Sequence, residues 1–97
     1  MSKEYDAVRH VLTTPAIAPR TAPYIGGDDF DFAGLLRETE TMSAGEALLV
    51  RIALELWLAE KRAGLWELVR RLDLRNFDRV LEALQIARGS RGWELAA

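Results

Sequence analysis

His10 is the one histidine of this 97-residue chain, and so its one side chain that ordinarily titrates near neutral pH. Nucleophilic catalysis needs such a base beside a hydroxyl or thiol. The chain has no cysteine, which removes thiolate nucleophiles, thiolate metal ligands and any disulfide framework. His10 falls in the polar segment MSKEYDAVRHVL, where a surface helix would turn it toward solvent. Glu55 and Glu60 are carboxylates of the kind that form acid–base pairs. Arg51 stands one turn before Glu55, however, which reads as an ordinary ion pair along a helix.

Asp28, Asp29 and Asp31 are hard oxygen donors of the kind magnesium or calcium prefers. Helix capping accounts for them without a metal. Asp28 and Asp29 precede a helical stripe, and Asp31 falls in its first turn, where negative charge suits the dipole. No glutamate follows at the distance that closes a calcium-binding loop. The glycines of YIGGDD and ARGSRG have neither P-loop nor dinucleotide spacing. These residues predict a non-enzymatic chain with no catalytic residue, no metal and no cofactor.

Recognition chemistry offers more. Residues 65–89 read as a short helix, a brief turn and a longer basic helix, the order of a helix-turn-helix. In that register Arg71, Arg75, Asn76 and Arg79 would approach a DNA groove. Two features oppose it. Phe77 occupies a place where a reading helix exposes polar side chains, and Asp78 and Glu82 follow Arg75 and Arg79 three positions on, as on a salt-bridged solvated face. The net charge of −2 is also split: residues 1–60 carry 5 basic against 10 acidic side chains, and residues 61–92 carry 8 against 4. Such halves can face each other, within one subunit or between two, as readily as the basic half can face an anion. Arginine outnumbers lysine 11 to 2, which reads as the coding bias of a GC-rich genome rather than selection for phosphate contacts.

The leading expectation is therefore a protein-interaction module: a homo-oligomer, or a subunit or adaptor bound to a different protein. Trp57, Trp66 and Trp93 are its candidate interface anchors, since tryptophan is enriched where binding energy concentrates. Small all-helical chains of this kind are common among bacterial and phage proteins. MSKEYDAVRHVL is too polar for a signal peptide, and no apolar run reaches the roughly 18 residues of a membrane span. That predicts a cytoplasmic protein with no membrane partner.

The elements behind these side chains are legible. Eleven of the thirteen residues from Ala47 to Ala59 are apolar. Ser43 and Glu46 form an S-x-x-E capping box before them, while Lys61, Arg62 and Gly64 suit a helix end. A helix over about 43–62 follows, with Arg51, Glu55 and Arg62 on one narrow wet strip. A helix apolar on almost every side belongs at the centre of its structure. Helices over about 30–40, 65–72 and 74–88 would surround it. Their inner faces would be Phe32, Leu35, Leu36 and Thr39, then Leu65, Leu68, Val69 and Leu72, then Phe77, Val80, Leu81 and Leu84. Asp73 caps the last helix, Leu72 staples onto Phe77, and Gly89 ends it.

The fold class is thus all-α, a small bundle of about five helices. Residues 1–12 form an N-terminal helix, 13–27 a proline-rich strap or linker, 28–89 the helical core domain and 90–97 a tail. Pro15, Pro19 and Pro23 make the strap extended or irregular. What remains is a demand for cover. The N-terminal helix, the strap or a second copy must meet the apolar surface that three short neighbours leave bare.

Overall fold

Ser43 starts the helix on which the structure is built. Its hydroxyl accepts from the Glu46 amide at 3.2 Å, while the Glu46 carboxylate accepts from the Ser43 amide at 2.9 Å. Two end-of-helix donors are satisfied by one four-residue signal. A computed structural model describes residues 2–89, and within them the chain is all-α. The order is α1 (Lys3–Leu12), α2 (Ala18–Thr21), α3 (Phe32–Thr39), α4 (Ala44–Leu58), α5 (Leu65–Arg71) and α6 (Leu74–Arg88). A 3₁₀ turn, Ala22–Tyr24, follows α2 directly, and one isolated bridge joins Ile25 to Phe30.

There are six helices where about five were expected, and the addition is α2. The strap between α1 and α3 is not extended. Pro19 falls in the first turn of α2 and Pro23 in the first turn of the 3₁₀ segment, where the missing amide would have had no partner anyway. Ile17, at the start of this segment, is fully buried.

The cover for α4 comes from α1, which packs against both α4 and α6. Leu48, Leu49, Val50, Ile52, Ala53 and Leu54 are all buried. At about 100° per residue, those six cover about two thirds of the circumference and leave open the sector that holds Arg51, Glu55 and Leu58. Val8, Val11 and Leu12 of α1 have no exposure at all. Each such burial contributes about 1.5–3 kcal/mol, so α1 belongs to the same core as α4 and α6. Tyr5 extends this seal. Its ring stacks on Phe30 at 4.8 Å, Trp57 meets Phe30 edge-on at 5.1 Å, and the Tyr5 hydroxyl donates to the Gly26 carbonyl.

The C-terminal end of α1 shows why the next residues are TT. The last four carbonyls of a helix lack intrahelical donors. Here Arg9 O accepts from Thr13 Oγ1 at 2.8 Å, Val11 O from Thr14 Oγ1 at 2.6 Å and Leu12 O from Thr21 Oγ1 at 2.6 Å. His10 O accepts from Arg79 Nη2, also at 2.6 Å, across the interface with α6. Thr14 and Thr21 are buried, and these bonds satisfy them.

Five further expectations need correction. α4 stops at Leu58 rather than Arg62, with Ala59 in the left-handed region at φ 56°. The cause is Glu55, whose Oε1 accepts from the Arg62 amide at 2.7 Å and the Ala63 amide at 3.0 Å and so draws the chain back. Gly64 consequently caps the start of α5 instead of ending α4, its amide donating to Glu67 at 3.2 Å. Arg51 does not pair with Glu55; it reaches Glu67 on α5 at 2.9 Å. In α3, Asp31 is the N-cap rather than a first-turn residue, accepting from Gly34 at 3.0 Å, and Leu36 turns outward.

Candidate interaction surface

α6 carries two apolar rows. Val80, Ala83 and Ile86 are buried against α1 and α4. Leu74, Phe77, Leu81 and Leu84 form a second row, spaced three, four and three apart. Leu74, Leu81 and Leu84 are exposed, Leu74 at 76%, and Phe77 is half-buried between the rows. The expected inner face of Phe77, Val80, Leu81 and Leu84 mixes the two. Both rows have helical spacing, and periodicity alone does not say which faces inward.

α5 repeats the pattern on a smaller scale. Leu72, just past its end, is buried and Leu68 is half-buried, but Leu65 is 84% exposed, Trp66 71% and Val69 58%. The expected inner face of Leu65, Leu68, Val69 and Leu72 is therefore half outward. Polar contacts set this orientation. Arg51 Nη2 and Nη1 donate to the two oxygens of Glu67, and Arg51 Nη1 also reaches the Arg62 carbonyl at 2.9 Å. First the Arg51 hydrogen bond and then the Gly64 amide hold the Glu67 carboxyl down at about 2. Gly45 admits the other end of α5, since a β-carbon there would lie 2.9 Å from the Arg71 carbonyl oxygen. With Glu67 gripped from α4, the Trp66–Val69 side has nowhere to turn but water.

The two helices share an apolar groove of about 120 Å³, lined in part by Leu56, Leu65, Leu68, Val80 and Leu84. Arg70 lies over the Trp66 ring, 5.5 Å from its centre. No family model matches the chain, and neither curated proteins nor solved structures give a match. The arrangement of the side chains therefore carries the functional reading.

The three tryptophans have different fates. Trp57 is half-buried in the cluster with Tyr5 and Phe30, Trp66 stands in solvent, and Trp93 lies outside the described residues. The four groove-reading candidates also separate. Arg71 and Arg75 are exposed, with Arg71 3.9 Å from Glu67. Asn76 is half-buried, and its amide serves the Asp73 cap at 2.9 Å. Arg79 binds the end of α1 through His10 O and, at 3.0 Å, Thr13 Oγ1. Burial lowers the Arg79 pKa, with Glu82 opposing. Arg79 Nη2 is thus committed to the end of α1.

Neither His10 nor the acidic cluster stands free. His10 Nε2 lies 2.8 Å from Glu82, again between α1 and α6. Asp29 accepts from the Phe30 amide at 2.8 Å and Asp31 caps α3. Leu74 was absent from the sequence-based site. Its signal was the 74–77–81–84 spacing, hidden because Leu74 directly follows the Asp73 cap.

Proposed function

We propose that this chain is a non-enzymatic protein-interaction module that binds through the outward faces of α5 and α6. One observation carries the reading: Leu65, Trp66, Val69, Leu74, Leu81 and Leu84 are exposed on adjoining helices whose orientation is held by polar contacts. Six large apolar side chains exposed on two neighbouring helices go beyond the singly scattered ones that are ordinary on a monomer's surface. Trp66 is the anchor, an aromatic with an arginine beside it at the edge of the patch. The same proposal places the protein in the cytoplasm, and no described helix is long and apolar enough to cross a membrane.

Photo-crosslinking side chains placed singly at Trp66 and Leu81, in the host cell, test it. Protein adducts should form there and not at Asp6 or Arg37, which are exposed elsewhere. Equal yields at all four positions would overturn the reading.

A further inference from the structure

We infer that the occupant of this face is a second copy of the chain, with α6 antiparallel to α6 of its partner about a two-fold axis. The inference rests on the association reading above and names its partner. Three observations carry it, and the first is the row itself. Leu74, Phe77, Leu81 and Leu84 repeat at the three–four spacing by which one helix packs into another along a narrow seam. Run antiparallel against itself, the row is self-complementary: Leu74 meets Leu84 of the partner subunit, and Phe77 meets Leu81 of the partner subunit. A two-fold interface requires that kind of reciprocity.

The second observation is charge. Asp73 stands at the N-terminal end of α6 and Arg88 at its C-terminal end. An antiparallel pair brings each Asp73 toward Arg88 of the partner subunit and also opposes the helix dipoles favourably. A parallel pair would set Asp73 against Asp73 and Arg88 against Arg88. The third is area. Leu65, Trp66, Val69, Leu74, Leu81 and Leu84 are each at least 42% exposed, so both helices can contribute to an interface of the standard roughly 800 Å² per partner. Leu65 and Leu84 line one groove, so the α6 seam runs on into α5 rather than stopping at its own edge.

Sedimentation equilibrium of the full chain, from micromolar to several hundred micromolar, gives the first test. The expected mass is twice the 10.9 kDa of one chain. Leu81→Arg sets a like-charged pair close to the two-fold axis and should weaken the dimer at least tenfold while the helical circular dichroism stays unchanged. A single-chain mass throughout, or a dimer indifferent to Leu81→Arg, overturns the inference. Because the chain has no cysteine, engineered thiols read the direction independently. Leu74→Cys chains mixed with Leu84→Cys chains should oxidise to the mixed disulfide. Leu74→Cys alone should not cross-link, because its copies would lie about 15 Å apart along the helices. Cross-linking of Leu74→Cys alone, without the mixed product, overturns the antiparallel pair.

The cellular crosslinks keep this inference distinct from the broader reading. Adducts of doubled chain mass at Leu81 support the second copy. Adducts only of some other mass overturn it while leaving the interaction surface in place.

Discussion

Arg51 of α4 grips Glu67 of α5 with two guanidinium nitrogens, Nη2 to Oε2 at 2.9 Å and Nη1 to Oε1 at 3.3 Å. This pair decides which side of α5 faces water. Its strength depends on pH with a fixed sign. The Glu67 carboxyl is held at about 2 in the folded protein, below the roughly 4.3 of a free glutamate. Its stabilising contribution is therefore complete above that free value and is lost as pH falls through about 2. The docking of α5 should loosen across that window. Nuclear magnetic resonance should show the α5 amides shifting before those of α1 and α6. Glu67→Gln should bring the looser state to neutral pH, and unchanged α5 resonances in that variant would contradict the assignment.

Arg79→Ala should destabilise the whole domain. The side chain caps His10 O at the end of α1, a charge-assisted bond whose loss costs about 1.5–3 kcal/mol. For a domain of this size, each 1 kcal/mol moves Tm by about 4–8 °C. Thermal melting followed by circular dichroism should show a fall of more than about 5 °C. A groove-reading role predicts the opposite, an unchanged Tm with lost duplex binding. Arg75→Ala, on the exposed side, should leave Tm within about 4 °C, as isolated surface changes usually do.

The N-terminal helix should prove indispensable. Leu12→Ala removes a fully buried side chain at the junction of α1 and the strap and should cost about 2–5 kcal/mol. Ile52→Asp should unfold the domain outright, because an unpaired charge in the core costs several kcal/mol against a total stability of similar size. Urea denaturation measures both. A folded Ile52→Asp chain would mean that α4 is not central.

Gly34→Ala tests a close approach inside a helix. Alanine should gain about 1 kcal/mol of helix propensity over glycine. Its β-carbon, however, would stand 2.4 Å from two carbons of the Tyr24 ring. The ring must move, and with it the Tyr24 hydroxyl bond to Glu38 at 3.2 Å. Overpacking of this kind costs about 1–3 kcal/mol. The net change should be destabilising, and a raised Tm would show that Tyr24 yields without loss.

Local signals were legible in the sequence, and long-range ones were not. Ser43 with Glu46, Asp73 and Gly89 mark helix ends through bonds made within four residues, so their types and spacing suffice. The end of α4 was invisible because Glu55 acts on amides seven and eight residues ahead, at a place with neither glycine nor proline. The bond between Arg79 and His10 spans sixty-nine positions, so no pattern along the chain announces it. On α6 the difficulty was excess. Two apolar rows at helical spacing compete, and only the docking of α1 chooses between them.

That docking joins the first helix to the last and sets a clock during synthesis. Val8, Val11 and Leu12 emerge early, but Val80, Ala83 and Ile86 are added only some seventy residues later. At about 5–20 residues per second, the side of α1 that packs on α6 waits roughly 4–15 s for that partner, while α4 arrives sooner. The core is therefore completed only after translation has passed α6, and slow translation lengthens the interval in which a chaperone or another nascent chain can reach the α6-facing side of α1.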